Sequence, residues 1–147
     1  MIDSELDYAY IAGIIDGEGC IDLFKRKSAK YVAGYQLAPR ITVTNTDICL
    51  LEYIKDFTNL GTISTYERPN KPHWKRAHLW QLYGSDNIKF FLESLLPYLR
   101  VKKQQACLLI SFVSKTSKHH QGLSDDERKE QQIIFDQMKL LNKKGRG

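Results

Sequence analysis

The sequence predicts an α+β fold: a four-stranded antiparallel sheet with helices on one face, in the order αββαββα with further helices after it. Three observations carry this. Stretches of period-two alternation come in two pairs, each joined by a turn-forming segment. Apolar residues at helical spacing precede each pair and follow the second. With 147 residues, 42% of them hydrophobic, the chain can bury one sizeable core, and it reads as a single domain over 1–147.

The first helix can be capped by Ser4 or Asp7 and runs into Tyr10-Ile11-Ala12-Gly13-Ile14-Ile15-Asp16-Gly17-Glu18-Gly19. Ala9, Gly13 and Gly17 recur every four residues, so one stripe carries almost no side chain and admits another backbone closely. Ile11, Ile14 and Ile15 lie on the rest of the surface, suited to a core. Gly17 and Gly19 permit turns that other residues resist, setting Glu18 at the mouth of the helix. A carboxylate there sits in the unfavourable field of a helix C-terminus, which a divalent cation would relieve.

The pattern changes to strand at Cys20, with Ile21 and Leu23 alternating with Asp22, Phe24 and Arg26. Residues 27–35 are polar and contain Gly34, as a hairpin loop requires, and a second strand covers 36–45. Thr46-Asp47 caps a helix carrying Leu50, Leu51, Ile54 and Phe57, which Gly61 ends. Strands over 62–68 and 75–83 follow, joined by Pro69-Asn70-Lys71-Pro72. Asp86 caps a helix with Ile88, Phe91, Leu92, Leu95 and Leu96 that stops before Pro97, and another helix covers 101–113. After a polar break at 117–123, Ser124-Asp125-Asp126-Glu127 opens a last helix holding Ile133, Ile134, Met138 and Leu141. Residues 143–147 read as a frayed basic tail.

Net charge is +5, with 22 Lys plus Arg, so the surface leans towards polyanions. No Lys or Arg precedes Lys25, and this acidic start argues against a transit peptide or a charged signal sequence. No apolar run approaches the roughly 18 residues of a spanning helix. Cys20, Cys49 and Cys107 are odd in number and far apart, which suits free thiols in a reducing compartment. The expectation is a soluble intracellular protein without a targeting segment, in an archaeal or bacterial cytoplasm or an organelle that encodes it. His119-His120 reads as solvated, and His73 and His78 lack metal-ligand spacing. Trp74, Trp80 and Tyr83 read as hairpin packing.

Alternation assigns residues to the open face of the sheet. From Glu18 onward the outward series is Asp22, Phe24 and Arg26, then Gln36, Ala38, Arg40 and Thr42 on the second strand. The third strand adds Ser64, Tyr66 and Arg68, and the fourth Lys75 and Gln81, with the facing of Arg76 and His78 left open. Arg and Gln at such positions suit base-edge readout, because they pair bidentately with guanine and adenine. Arg100 and Lys103 are further candidates for contact with phosphates.

Residues Ile11 to Gly19 align without a gap to the nine-residue signature of the LAGLIDADG homing endonucleases, and the chain resembles the single-motif, homodimeric type. In that family the small stripe packs two such helices together, and the acidic residue at the eighth position binds metal. Here that position is Glu18 instead of the commoner Asp, and both offer carboxylate oxygens. A second resemblance is Leu96-Pro97-Tyr98-Leu99-Arg100-Val101-Lys102-Lys103-Gln104-Gln105-Ala106, where a family lysine near the scissile phosphate falls at Lys102. Asn45 aligns with a polar residue, commonly Gln, that orders water. An arginine often found shortly after it has no counterpart, since Ile48, Cys49 and Leu50 occupy that stretch.

The resemblance implies a saddle-shaped sheet that binds a long pseudo-palindromic double-stranded DNA site. It implies a homodimer through Ala9, Gly13, Asp16 and Gly17, and an intron-encoded enzyme that hydrolyses phosphodiesters and leaves 3′ overhangs. Glu18, Lys102 and Asn45 would be catalytic, with Glu18 and the Gly17 carbonyl holding Mg²⁺ or Mn²⁺, and Ca²⁺ supporting binding without cleavage. One alternative stays open: a non-cleaving nucleic-acid-binding protein of the same fold, such as an intron RNA maturase.

Overall fold

The computed structural model describes residues 4–29, 34–67, 76–116 and 124–144. Helix α1 (Ser4–Glu18) runs directly into β1 (Gly19–Lys27), which forms a hairpin with β2 (Tyr35–Asn45). Helix α2 (Ile48–Thr58) precedes β3 (Thr62–Tyr66) and β4 (Ala77–Leu82). Helix α3 (Ser85–Leu95) leads through a 3₁₀ turn (Leu96–Tyr98) to α4 (Lys103–Thr116), and α5 (Asp125–Lys144) closes the described chain. The expected α+β architecture is present. The antiparallel sheet has the order β1-β2-β4-β3, so the second hairpin joins the first through its later strand.

One face of the sheet is covered and the other is open. Ile21, Leu23, Leu37, Ile41, Val43, Trp80 and Leu82 are buried on the covered face, in one cluster with apolar residues of the helices. Trp80 is fully buried, its ring centroid 5.3 Å from that of Phe91 on α3. Its indole N–H donates to the Leu60 carbonyl at 3.0 Å, so the polar end of the ring is satisfied inside the core. The ring leaves no room beneath it: a Cβ at Gly61 would lie 2.3 Å from Trp80 Nε1. Gly61 also has a φ of +87°. Gly61 therefore meets two demands, the close approach and the left-handed backbone.

Several element ends differ from the sequence expectation, each for a local reason. Asn59, with φ 57°, ends α2 ahead of Gly61, and its N–H donates to the Lys55 carbonyl. Gly84 occupies the cap position of α3 with no side-chain bond, while Asp86 lies in the first turn, where its charge still favours the helix. Helix α4 starts at Lys103 and not at Val101, because the N–H groups before it are engaged elsewhere, as described below. The capping box of α5 forms as expected, Ser124 Oγ accepting from the Glu127 N–H while the Glu127 carboxylate accepts from the Ser124 N–H. Its buried side is Ile134, Phe135 and Met138; Ile133 is 56% exposed, and the helix continues through Lys143 and Lys144. Asn142 of α5 donates to the Ile21 carbonyl, occupying a backbone acceptor on the edge strand β1. The expected turn at 69–72, the polar break at 117–123 and the residues Arg68, His73, Trp74, Lys75, His119 and His120 lie outside the described residues. Among the described residues no helix is long and apolar enough to cross a membrane.

Gly61→Ala should cost about 2–4 kcal/mol, the sum of a strained left-handed backbone and an overpacked core. Thermal denaturation should show it as a Tm lowered by roughly 5–15 °C. A variant melting with the wild type would mean that Trp80 can move aside.

Candidate functional site

The last turn of α1 and the start of α4 hold one another. The Asp16 carboxylate accepts from three successive backbone N–H groups, Arg100 at 2.9 Å, Val101 at 3.2 Å and Lys102 at 3.0 Å. In return, Lys102 Nζ donates to the carbonyls of Ile15 and Asp16, at 3.0 and 2.9 Å. A helix C-terminus leaves its last carbonyls without partners, and a lysine ammonium suits them in hydrogen bonding and in charge. Burial pushes the Lys102 pKa below the ordinary lysine value, with the negative charge of Asp16 acting against that shift. Asp16 was expected at a dimer interface; within the chain its carboxylate is committed to these three N–H groups, which suit an anion at the start of a helix.

This clasp aims Glu18. The next residue, Gly19, is buried, and a Cβ there would come within 2.8 Å of the Ile15 backbone. The helix passes directly into the strand here, and Glu18 is left exposed at the junction. Gly19 thus permits a backbone path that a side chain would resist, through close approach and not through a left-handed backbone, while an added Cβ at Gly17 would meet open space. Asn45, at the end of β2, donates through Nδ2 to Glu18 Oε2 at 2.5 Å. The amide of Asn45 is itself oriented, since its Oδ1 accepts from the Asp47 N–H at 2.7 Å. Asp47 then caps α2 through the Cys49 N–H. Glu18, Asn45 and Lys102, far apart in sequence, thus converge around the α1–β1 junction.

Glu18 is a hard oxygen donor, exposed and oriented, at the negative end of a helix, and this chemistry fits an oxygen-preferring divalent cation. It fits only as part of a set: among the described residues no group of three His, Cys, Asp or Glu could hold a metal alone. Cys49, near the position where the resembled family often carries arginine, is exposed in the first turn of α2.

Among the described residues, one face of α1 is largely uncovered. Leu6 is 72% and Tyr10 57% exposed, and Gly13 and Gly17 continue the same stripe, where an added Cβ would meet nothing within 4 Å. The free stripe is therefore Leu6, Tyr10, Gly13 and Gly17, with Ala9 half-buried beside it. Tyr10 is braced edge-on by Tyr53 of α2 at 5.5 Å. The Tyr53 hydroxyl donates to Asp7, and burial followed by this bond pushes its pKa up to about 12.

The open face of the sheet carries the outward series as alternation assigns it. Asp22 is the register partner of Arg40, Phe24 of Ala38 and Arg26 of Gln36. Thr42 pairs with Gln81, which pairs with Thr62. Arg26, Ser64 and Tyr66 are exposed, as are Arg100 and Lys103 at the start of α4. Gln36, Thr42 and Gln81 are half-exposed, while Ala38 is covered. His78 falls on the opposite series, its ring hydrogen-bonded to Thr65 at 2.8 Å. Asp22 and Arg40 do not stand free: their side chains form a two-point ion pair, with Arg40 Nη2 to Asp22 Oδ2 at 2.8 Å and Nε to Oδ1 at 3.2 Å. That hydrogen-bonded carboxylate, opposed in part by burial, raises the Arg40 pKa above its ordinary value. Tyr83, read from sequence as packing, borders this pair and donates to Gln81 Oε1. Strand parity alone places Asp22 opposite a β2 residue, but not which one.

A sequence model described as LAGLIDADG endonuclease matches residues 11–110. A DNA endonuclease of Chlorella vulgaris, I-CvuI, is 29% identical over 114 residues, 76% of this chain and 66% of that relative. The match thus spans slightly under two thirds of the relative's length. A crystal structure of I-CvuI with a DNA target, in the presence of Mg and with the DNA not cleaved, superposes with a TM-score of 0.79 at 25% identity, covering 96% of this chain and 85% of that one. I-CvuI has also been crystallised with its own target in the presence of Ca. The archaeal intron-encoded homing endonuclease I-Vdi141I, complexed with DNA, shares the fold with a TM-score of 0.77 at 19% identity, over 94% of this chain and 85% of that one.

Asp16→Ala would leave three N–H groups of the 100–102 turn without their acceptor. It should lower stability by about 2–4 kcal/mol in urea denaturation, as charged hydrogen bonds of this kind do. A loss under about 0.5 kcal/mol, typical of a neutral surface change, would mean that the clasp is not structural.

Proposed function

The chain belongs to the LAGLIDADG endonuclease family, and from that premise we propose that it is a site-specific double-strand DNA endonuclease, one domain over 1–147, that acts as a homodimer on a long pseudo-palindromic site. The observation that carries this reading is the exposed stripe of α1, open at Gly13 and Gly17 and ending in an exposed, oriented Glu18. One carboxylate per chain cannot serve two cuts symmetrically. Packing Gly13 and Gly17 of one protomer against those of another would bring two Glu18 side chains together on a two-fold axis. The DNA-bound state of I-CvuI and I-Vdi141I supports the same substrate class for this chain.

Glu18 and the Gly17 carbonyl of each protomer would hold the divalent ion, Mg²⁺ or Mn²⁺, with waters and phosphate completing the shell. Such an ion, when bound, lowers the pKa of attacking water and stabilises the leaving 3′ oxygen. Asn45 keeps the Glu18 carboxylate turned to the rim. Lys102, half-buried behind it, lends positive charge to the region where the transition state gathers negative charge. On the open sheet, Arg26, Gln36, Thr42, Ser64, Tyr66 and Gln81 would face base edges, while Arg100 and Lys103 would neutralise phosphates. Cuts across one minor groove would leave 3′ overhangs.

Cleavage of a randomised duplex library in Mg²⁺, with Glu18→Gln as the control, tests the reading. The wild type should cut a subset of sequences. Glu18→Gln keeps the side-chain size but removes the charge, so cutting should vanish while binding in Ca²⁺ survives. Lys102→Ala should slow cutting by roughly 10²–10³-fold, in the range of single electrostatic stabilisers. Glu18→Gln cutting at the wild-type rate would show the centre to lie elsewhere, and binding with no cutting by the wild type would favour a non-cleaving protein.

Sedimentation tests the assembly. The wild type should be a dimer at micromolar concentration, and Gly13→Leu, which puts a branched side chain on the contact stripe, should shift it to monomer and abolish cutting. A monomeric wild type that still cuts both strands would remove the dimer from the mechanism.

A further inference from the structure

The open sheet face holds one element that simple attraction to DNA does not explain. Arg26, Arg100 and Lys103 are exposed, as cations that meet phosphates should be. Arg40 is built in. Asp22 takes two of its donors along one edge, Nε at 3.2 Å and Nη2 at 2.8 Å, and the side chains of the pair are only 33% and 19% exposed. The guanidinium lies 4.5 Å from the centroid of the Phe24 ring, and Phe24 in turn meets Tyr83 edge-on at 6.1 Å. Tyr83 is tied to Gln81 by a 2.5 Å hydrogen bond. A carboxylate among cations lowers non-specific affinity for phosphates, so its benefit has to lie elsewhere.

The benefit is geometric. A guanidinium has five N–H donors in a planar fork. With Nε and one Nη2 proton taken by Asp22, three donors remain; one Nη1 proton and the second Nη2 proton lie parallel at the end of the fork, which the Tyr83 side chain borders and which a base edge would have to share with it. Two parallel donors match O6 and N7 of guanine in the major groove and no other base pair edge as well. Holding the fork in advance also removes side-chain ordering from the cost of binding. We propose that Asp22 is a positioning residue that fixes Arg40 to read one guanine in each half-site, with Phe24 and Tyr83 keeping the fork in place. This rests on the open sheet being the DNA face and adds which residue pair sets a base and which base it is.

Selection from a randomised duplex pool in Ca²⁺, followed by sequencing, tests it with the full chain. The wild type should favour guanine at one symmetric pair of positions by roughly 5–150-fold, the range of a good bidentate contact. Arg40→Ala should erase that preference. Asp22→Ala should reduce it to below about threefold while raising affinity for DNA of random sequence, since a negative charge has gone. An electrostatic or merely structural pair would not separate preference from affinity in this way. If Asp22→Ala melts well below the wild type, Asp22→Asn, which keeps the shape and loses the charge, carries the same comparison. An unchanged guanine preference in the Asp22 variant, or in Arg40→Ala, overturns this proposal alone. A wild type that enriches no sequence overturns it together with the DNA-face reading.

Discussion

The junction between α1 and α4 is the constraint on which the rest of the site depends. Asp16 and Lys102 each satisfy the backbone of the other's element, three N–H groups in one direction and two carbonyls in the other. The negative end of one helix is thereby set against the positive start of another, so dipole and hydrogen bonding act in the same sense. An isolated surface ion pair would contribute little, but these are charge-assisted bonds to backbone groups that would otherwise lack partners. The clasp closes a sequence separation of 86 residues and holds the end of α1 in place.

With the end of α1 held, the position of Glu18 follows from two close contacts. Gly19 lies against the Ile15 backbone, where no side chain would fit, and Asn45 takes hold of the carboxylate from the end of β2. The outer stripe of the same helix exposes Leu6 and Tyr10 and is bare of side chains at Gly13 and Gly17. A helix that is clasped at its end, buried on one side through Ile11, Ala12 and Ile15, and open on the other is stable alone yet still has a face to offer. This is the physical basis of the proposed pairing of two chains, each bringing one carboxylate.

The open sheet is not a uniform basic surface. Among the described residues its cations divide into exposed ones, Arg26 on the edge strand and Arg100 and Lys103 at the start of α4, and a built-in one, Arg40, framed by Asp22, Phe24 and Tyr83. Exposed cations suit contact with a backbone of repeating charge, where tolerance of position is useful. An immobilised guanidinium suits discrimination, where a misplaced contact has to cost energy. The register Asp22↔Arg40 is what makes this possible, since cross-strand partners share a face at close range.

Much of the chain was legible because its signals are local. The motif helix, both hairpins, the capping box of Ser124 and Glu127 and the inward positions Ile21, Ile41, Val43 and Trp80 follow from spacing alone, since backbone periodicity assigns a face before any tertiary contact forms. The family is equally visible in residues 11–19 and 96–106, and residues 11–110 match it. What the local pattern does not contain is which elements meet. The strand order β1-β2-β4-β3, the hold of Asp16 on the 100–102 turn, the close approach of Trp80 that calls for Gly61 and the pairing of Asp22 with Arg40 all arise between residues distant in sequence. Those were decided by the tertiary structure, because a carboxylate, an arginine or a glycine has one identity in the sequence but takes its role from the partner that packing brings to it.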